Sequence, residues 1–483
     1  MINYRLIFTV MGYLLMFNGL FMFTTLPFSF AYEDGDWAAL GSAAGGTMLA
    51  GLIIWLVNRK KVKIDIKKRE GYLIVSLGWV AMSLFGALPY FLTGAIPSYT
   101  DAFFETISGF TTTGASVIND IESLPKSILF WRSLTHWIGG MGIIVLTIAI
   151  MPILGFGGMQ LFVAEVPGLS PDKLHPRIKE TAKRLWLLYV ALTTLEAVLL
   201  IAGDMDVFDA VCHSMATIAT GGFSTKQASM AHYSPYIQYV VIVFMFLAGV
   251  NFSLHYFTLK GNVKKLWRNE EFRFYLILVL IMSSIIALAL IWKRGLPVEQ
   301  AIRDSLFQVI AIITTTGFVS ADYENWTPFL MFTIFVMMFF GACAGSTGGG
   351  MKMIRVRLLL KNSALELKRL IHPRAIIPLR ISGKTISPEI IANVLAFFFF
   401  YIIIFVAGSV VMSMLGLDFL SSIGSVASCL SNVGPGIGSV GPMDNYAHIP
   451  DLGKWVLSFL MLCGRLEIFT ILIMFSATFW KKD

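Results

Sequence analysis

Long apolar runs separated by short polar stretches organise this chain. Ten runs reach the length that a membrane-crossing helix needs, about 20 residues: 4–28, 37–57, 71–93, 128–154, 184–203, 235–259, 272–292, 327–350, 389–413 and 452–479. Four further segments, 101–113, 208–221, 303–316 and 419–433, are 13–15 residues long and mixed in polarity. That length favours half-helices that enter and leave by one face of the membrane over full crossings. Each short segment ends in a glycine-centred loop: TTTGAS at Thr111–Ser116, ATGGFS at Ala219–Ser224, TTTGFV at Thr314–Val319 and SNVGPG at Ser431–Gly436. The shared glycines, Gly114, Gly222, Gly317 and Gly434, lie 108, 95 and 117 residues apart. One TTTG alone reads as a polar turn. Four, each between long apolar runs, read as one unit used four times.

The pattern predicts an all-α polytopic membrane protein. Four units of long helix, re-entrant half-helix, glycine loop and long helix suggest a ring around one pore. The expected divisions are a helix pair in 1–66 and units at 67–159, 160–262, 263–385 and 386–483, the third carrying a glycine-rich gate.

Charge sets the orientation. Lys and Arg number seven in 59–69, five in 173–184, five in 260–273 and nine in 352–384. With Arg5, Lys481 and Lys482 these are 29 of the chain's 37. If the short segments are re-entrant, all of these basic loops fall on one side. The turn Ala31–Trp37, with Glu33, Asp34 and Asp36, falls on the other. Positive residues stay on the cytoplasmic face, so both termini are expected in the cytoplasm and the glycine loops face outward. Orientation and attraction to an anionic bilayer account for the net charge of +8, and no nucleic-acid partner is needed. Composition agrees: 56% of residues are hydrophobic and 14% charged, with mean hydropathy +0.74. The first apolar run is followed closely by another and reads as a retained helix rather than a cleaved signal. The four cysteines sit in apolar segments without metal-ligand or redox spacing.

Three units place an aspartate 13 residues before the glycine, Asp101, Asp209 and Asp304; in the fourth, Ser421 holds that place and Asp418 lies three residues earlier. These positions suit capping of the half-helix N-terminus. The negative C-terminal end of each half-helix would then point inward and favour a cation. Backbone carbonyls of the loops would replace the ion's water shell. The candidate ion-selecting residues are Thr112, Thr113 and Gly114; Thr220, Gly221 and Gly222; Thr315, Thr316 and Gly317; and Asn432, Val433 and Gly434.

A second glycine cluster, Gly341–Gly350, interrupts the inner run of the third unit. The spacing of Gly341 and Gly345 also suits close helix packing. As a broken helix crossing below the loops it would form a gate from Gly345, Ser346, Thr347, Gly348, Gly349 and Gly350. Arg465, near the middle of the last apolar run, would hold this loop or set a barrier to cations; the plainer reading is a salt bridge to Glu196 or Glu105. Lys352 belongs to the same environment or snorkels to the interface. The basic loops 160–184 and 352–388, each with a His-Pro-Arg triplet, are natural docking surfaces. No phosphate-binding glycine pattern occurs, so no nucleotide site is expected on this chain.

The chain resembles the Trk/Ktr/HKT superfamily of potassium transport proteins, and its Trk branch most. The resemblance rests on the four glycine loops, HWIGGMGIIVL at His136–Leu146, PRIKETAKRLW at Pro176–Trp186, GACAGSTGGGMK at Gly341–Lys352 and GRLEIF at Gly464–Phe469. The helix pair before the first unit also fits the Trk branch, and His136 stands where glutamine is common. The resemblance implies four helix–half-helix–helix units with pseudo-fourfold symmetry, potassium as the transported ion, the bacterial inner membrane, a homodimer, and a cytoplasmic ring of nucleotide-binding regulatory subunits. In that family a serine in place of the first loop's glycine accompanies sodium permeation; Gly114 therefore points to potassium. Two rivals remain. A symporter coupling potassium to protons or sodium is disfavoured by repeats of one sense and few buried carboxylates, Glu196 being the clearest. A membrane enzyme lacks any nucleophile–base pair or metal-ligand cluster.

Overall fold

The computed structural model describes residues 2–58, 67–145, 174–375 and 377–481. The basic run 59–66, the apolar run beyond Val145, most of the 160–184 loop and Lys482 lie outside the described residues. Among those described, six helices are long and apolar enough to cross a membrane, and two bent pairs bring the number to eight.

The chain opens with an antiparallel pair, α1 (Tyr4–Phe23) and α2 (Trp37–Asn58). Small residues let their backbones meet: a Cβ on Gly12 would lie 2.8 Å from the Gly51 oxygen, and one on Gly19 would lie 2.8 Å from the Ala44 oxygen. The acidic turn between them caps the inner helix of the first unit. Asp34 accepts the Ser127 N–H at 2.9 Å and Asp36 the Ser127 hydroxyl at 2.6 Å.

The first unit holds α3 (Lys68–Gly86), the short α4 (Tyr99–Phe110) and α5 (Lys126–Val145). The second holds α6 (Leu174–Ala202), the short α7 (Val207–Ile218), α8 (Pro235–Ala248) and α9 (Phe252–Leu259). In the third, α10 (Glu270–Arg294) precedes the short α11 (Val298–Ile313), then α12 (Pro328–Met337) and α13 (Met353–Ile371). In the fourth, α14 (Pro388–Met414) precedes the short α15 (Phe419–Ser431), α16 (Asp451–Arg465) and α17 (Ile468–Leu472). Extended pairing among the described residues is confined to a two-stranded ribbon, β1 (Arg380–Ile381) with β2 (Lys384–Thr385), and an isolated bridge between Phe340 and Met351.

Sequence periodicity alone reads each inner run as continuous, with a break in the third unit only. Breaks occur in the second and fourth units as well. The 235–259 run bends by 100° between α8 and α9, and the last run by 115° between α16 and α17. Asn251 starts α9 by accepting the Ser253 N–H at 2.8 Å. In the last run, Glu467 adopts a left-handed backbone with φ 64°. Arg465 consequently ends a helix rather than sitting within one.

Two of the short helices, α4 and α7, are capped three residues before the expected aspartates, by Ser98 and Asp206; Asp418 caps α15, and α11 has no side-chain cap. The hydrogen bonds from Ser421 hold the Asp418 carboxyl below its usual range. Asp304 lies inside α11, which starts at Val298. Asp101 instead pairs with Lys454 at 2.5 Å. Asp209 accepts Thr225 Oγ1 at 2.8 Å and Tyr233 OH at 3.0 Å.

Candidate functional site

All four short helices end in the same turn. Thr112, Thr220, Thr315 and Asn432 adopt left-handed backbones with φ of 51°, 55°, 59° and 59°. Such φ is costly for a β-branched threonine and persists only where surroundings fix it. Here the helix ends fix it. The N–H groups of Thr113, Gly221, Thr316 and Val433 reach back five residues to the oxygens of Ser108, Ala216, Ala311 and Ser428 at 2.8, 2.8, 2.8 and 2.9 Å. This is the Schellman closure of a helix. Two residues after each left-handed position come Gly114, Gly222, Gly317 and Gly434, with φ of 81°, 82°, 74° and 100°. Glycine alone takes this conformation without steric cost.

The chain then runs back along its own helix. Val117 N–H meets Glu105 at 2.9 Å, Thr225 meets Asp209 at 2.8 Å, Gln308 meets the Ala321 oxygen at 3.2 Å, and Ser439 N–H meets Ser421 Oγ at 2.8 Å.

The four glycine loops also meet one another in chain order. A Cβ on Gly114 would lie 2.2 Å from the Gly221 oxygen, one on Gly222 1.9 Å from the Thr316 oxygen, one on Gly317 1.8 Å from the Val433 oxygen, and one on Gly434 2.6 Å from the Thr113 oxygen. The last contact closes the circle. A cavity of about 80 Å³ is lined by all four glycines.

Each seam of this circle is held differently. Arg132 pairs with Glu105 at 2.6 Å and donates to the Ser224 oxygen at 2.7 Å, tying loops one and two. Val319 bonds to Ser229 Oγ and the Ala231 N–H, tying two and three. Tyr323 OH donates to the Gly436 oxygen at 2.6 Å, and Glu324 accepts the Gly438 N–H at 2.6 Å, tying three and four. Burial pushes the Glu324 carboxyl above its usual range. Tyr446 N–H donates to the Ser116 oxygen at 2.8 Å, tying four and one. Asn432 adds a bond to Thr113 Oγ1 at 2.9 Å.

The glycine-rich segment lies at the C-terminal ends of the short helices. Thr347 Oγ1 donates to the Ile218 oxygen at 2.9 Å. The Gly349 N–H donates to Thr315 Oγ1 at 2.7 Å. A Cβ on Gly348 would lie 2.8 Å from the Thr314 oxygen, and one on Gly349 2.6 Å from the Ser431 oxygen. The segment is also stitched into the bend of the second unit: Cys343 N–H to the Gly249 oxygen and Phe252 N–H to the Gly345 oxygen, both 3.0 Å. Ser346 Oγ closes a local turn on the Cys343 oxygen at 2.7 Å. Its two ends meet, Gly341 N–H to the Met351 oxygen at 2.8 Å, with a Cβ on Gly350 falling 3.1 Å from Gly341 Cα. Glu271 accepts the N–H groups of Ala344 and Ile354 at 2.7 and 3.0 Å.

Arg465 is buried and donates to the Thr347 oxygen at 2.6 Å and the Gly139 oxygen at 3.0 Å. It makes no ion pair among the described residues, which overturns the salt-bridge reading: Glu105 is taken by Arg132. Lys352 does not snorkel; its Nζ donates to the Gly348 oxygen within the same loop. The carboxylate of Glu467 pairs with Arg355. Periodicity missed a further set. Nine residues before each glycine stands a polar residue, Glu105, His213, Gln308 or Ser425, fully buried. The first three bond to the returning chain. The signal was a polar residue at one fixed register of an otherwise apolar half-helix.

These features define a class: a multi-pass membrane protein whose repeated geometry is backbone, with no constellation of reacting side chains among the described residues. Residues 48–482 match the family model TrkH, cation transport protein. The chain belongs to the TrkH family of cation transport proteins, and is a transport protein rather than an enzyme. It is 41% identical over 489 residues to the Trk system potassium uptake protein TrkH of Escherichia coli (strain K12), covering 99% of this chain and 100% of that one. The Trk system potassium uptake protein TrkG of the same organism is 35% identical, covering 88% of each chain. The crystal structure of the potassium transporter TrkH from Vibrio parahaemolyticus superposes with a TM-score of 0.91 at 38% identity, covering 99% of this chain and 100% of that one.

Proposed function

We propose that the chain carries potassium across the bacterial inner membrane through a gated pore whose selectivity filter is the circle of four glycine loops. The observation that carries this reading is the cyclic close approach of Gly114, Gly222, Gly317 and Gly434 to the backbone oxygens of the neighbouring loops. Backbone oxygens held in such a circle can replace a hydration shell. The Schellman turns supply the rigidity, because each is closed by its own helix. The naming of full-length relatives as potassium uptake proteins supports the choice of ion.

The glycine-rich segment, Gly341–Gly350, is the gate. Arg465 and Lys352 hold its carbonyls, and the positive charges oppose a cation there until the segment moves. The four units stand in pseudo-fourfold order after an N-terminal helix pair. Both termini face the cytoplasm, two copies assemble, and a cytoplasmic nucleotide-binding ring drives the gate. Reconstitution in liposomes tests the core of this reading. Reversal potentials should follow potassium over sodium, and a Gly114→Ser variant should lose that preference. Uphill potassium movement driven by a proton or sodium gradient would instead establish coupled symport.

A further inference from the structure

We propose that His136 sets the position of the second glycine loop, and through it ion selectivity, by filling the space that a side chain at Gly221 would occupy. The proposal rests on the reading of the four loops as a filter.

Just before the shared glycine, loops one, three and four carry Thr113, Thr316 and Val433; loop two carries Gly221. A Cβ on Gly221 would fall 2.2 Å from His136 Nδ1 and 2.4 Å from its Cγ. The imidazole therefore stands in the place of the missing side chain. It is fully buried, and it stacks on Phe223 with centroids 4.0 Å apart and planes at 17°. Arg132, one turn earlier on α5, puts its guanidinium carbon 3.7 Å from the centre of the same phenyl ring. So the residues on both sides of Gly222 touch side chains from a single helix turn. Neither His136 nitrogen has a hydrogen-bond partner among the described residues. The ring acts by its shape and stacking, since it satisfies no polar group.

Position is transmitted onward. The Gly221 oxygen is the one that would meet a Cβ on Gly114. Without the imidazole, loop two has neither a side chain of its own at this register nor a neighbour to rest on. Its carbonyl would then wander relative to loop one. His136 is thus a positioning residue, and the histidine–glycine pair is one unit of bulk divided between helix and loop.

The test is a swap read by potassium and sodium reversal potentials of the reconstituted chain. His136→Ala should lower the potassium-to-sodium permeability ratio several-fold. Gly221→Thr alone should abolish current or the yield of monodisperse protein, because the threonine collides with the ring. Combining the two should restore yield, current and ratio toward wild type, since loop two then resembles loops one and three. His136→Gln, a flat amide of similar size, should keep the ratio. Additive defects in the double variant, or an unchanged ratio in His136→Ala, would overturn the proposal. Gly114→Ser serves as the control: if it leaves selectivity unchanged, the filter reading itself fails, whatever the swap does.

Discussion

The four glycine loops are alike in backbone geometry, and the helices that follow them are not. The loops begin with four similar turns, with φ between 51° and 59° at the left-handed residue. Of the inner helices, one bends by 100°, one by 115°, and one stops at Met337 and resumes at Met353. On the reading proposed above, backbone geometry is uniform where the ion is surrounded and irregular where the gate moves. Uniformity in the loops comes from helix closure at a left-handed threonine or asparagine, followed two residues later by the shared glycine. Irregularity below comes from individual residues: Asn251, Glu467 and the five glycines of Gly341–Gly350.

Substitutions can sharpen this contrast, beginning with the loops. Gly317→Ala would place a Cβ 1.8 Å from the Val433 oxygen at φ 74°. We expect loss of potassium uptake, measured by growth of uptake-deficient cells at low potassium. Glu105→Ala leaves Arg132 buried and unpaired, which costs about 3–5 kcal/mol; thermal unfolding in detergent should show a large drop, with loops one and two loosened together. Arg465→Ala removes two charge-assisted bonds, each worth about 1.5–3 kcal/mol. It should raise open probability in single-channel records while selectivity holds, and unchanged conductance and gating would count against the brace. Alanines at Gly348–Gly350 should alter open probability in the same records without changing ion preference. Asp418→Ala removes only a helix cap, about 1 kcal/mol, and should shift the melting temperature slightly with transport intact. If loop variants altered gating alone, or segment variants altered selectivity, the division between the two regions would collapse.

Much of this was legible in the sequence, for stated reasons. Apolar length located the six long helices to within a few residues, since a bilayer dictates length. The shared glycine was legible because positive φ admits few other residues. The left-handed threonines were not, since nothing in a TTTG string marks its second threonine as strained. Periodicity could not foresee the bends at Asn251 and Glu467 either. Both lie in apolar runs of ordinary hydropathy, and the bonds that compensate them come from segments distant in sequence, such as Cys343 to Gly249. Sequence left two readings of Arg465 open for a similar reason. Charge complementarity suggested a carboxylate, and the structure supplies two carbonyls, one of them Thr347 of the glycine-rich segment.

The four seams of the loop circle are each made with different chemistry: an arginine–glutamate pair, a serine with backbone, a tyrosine with a glutamate, and a backbone bond backed by an asparagine. A ring assembled from identical chains receives every mutation four times over. Here a substitution enters once, at one seam, and the other three continue to hold the circumference. Heredity can therefore adjust a single quarter of the ring by small steps, such as the exchange of bulk between His136 and Gly221, without staking the whole circle on each trial.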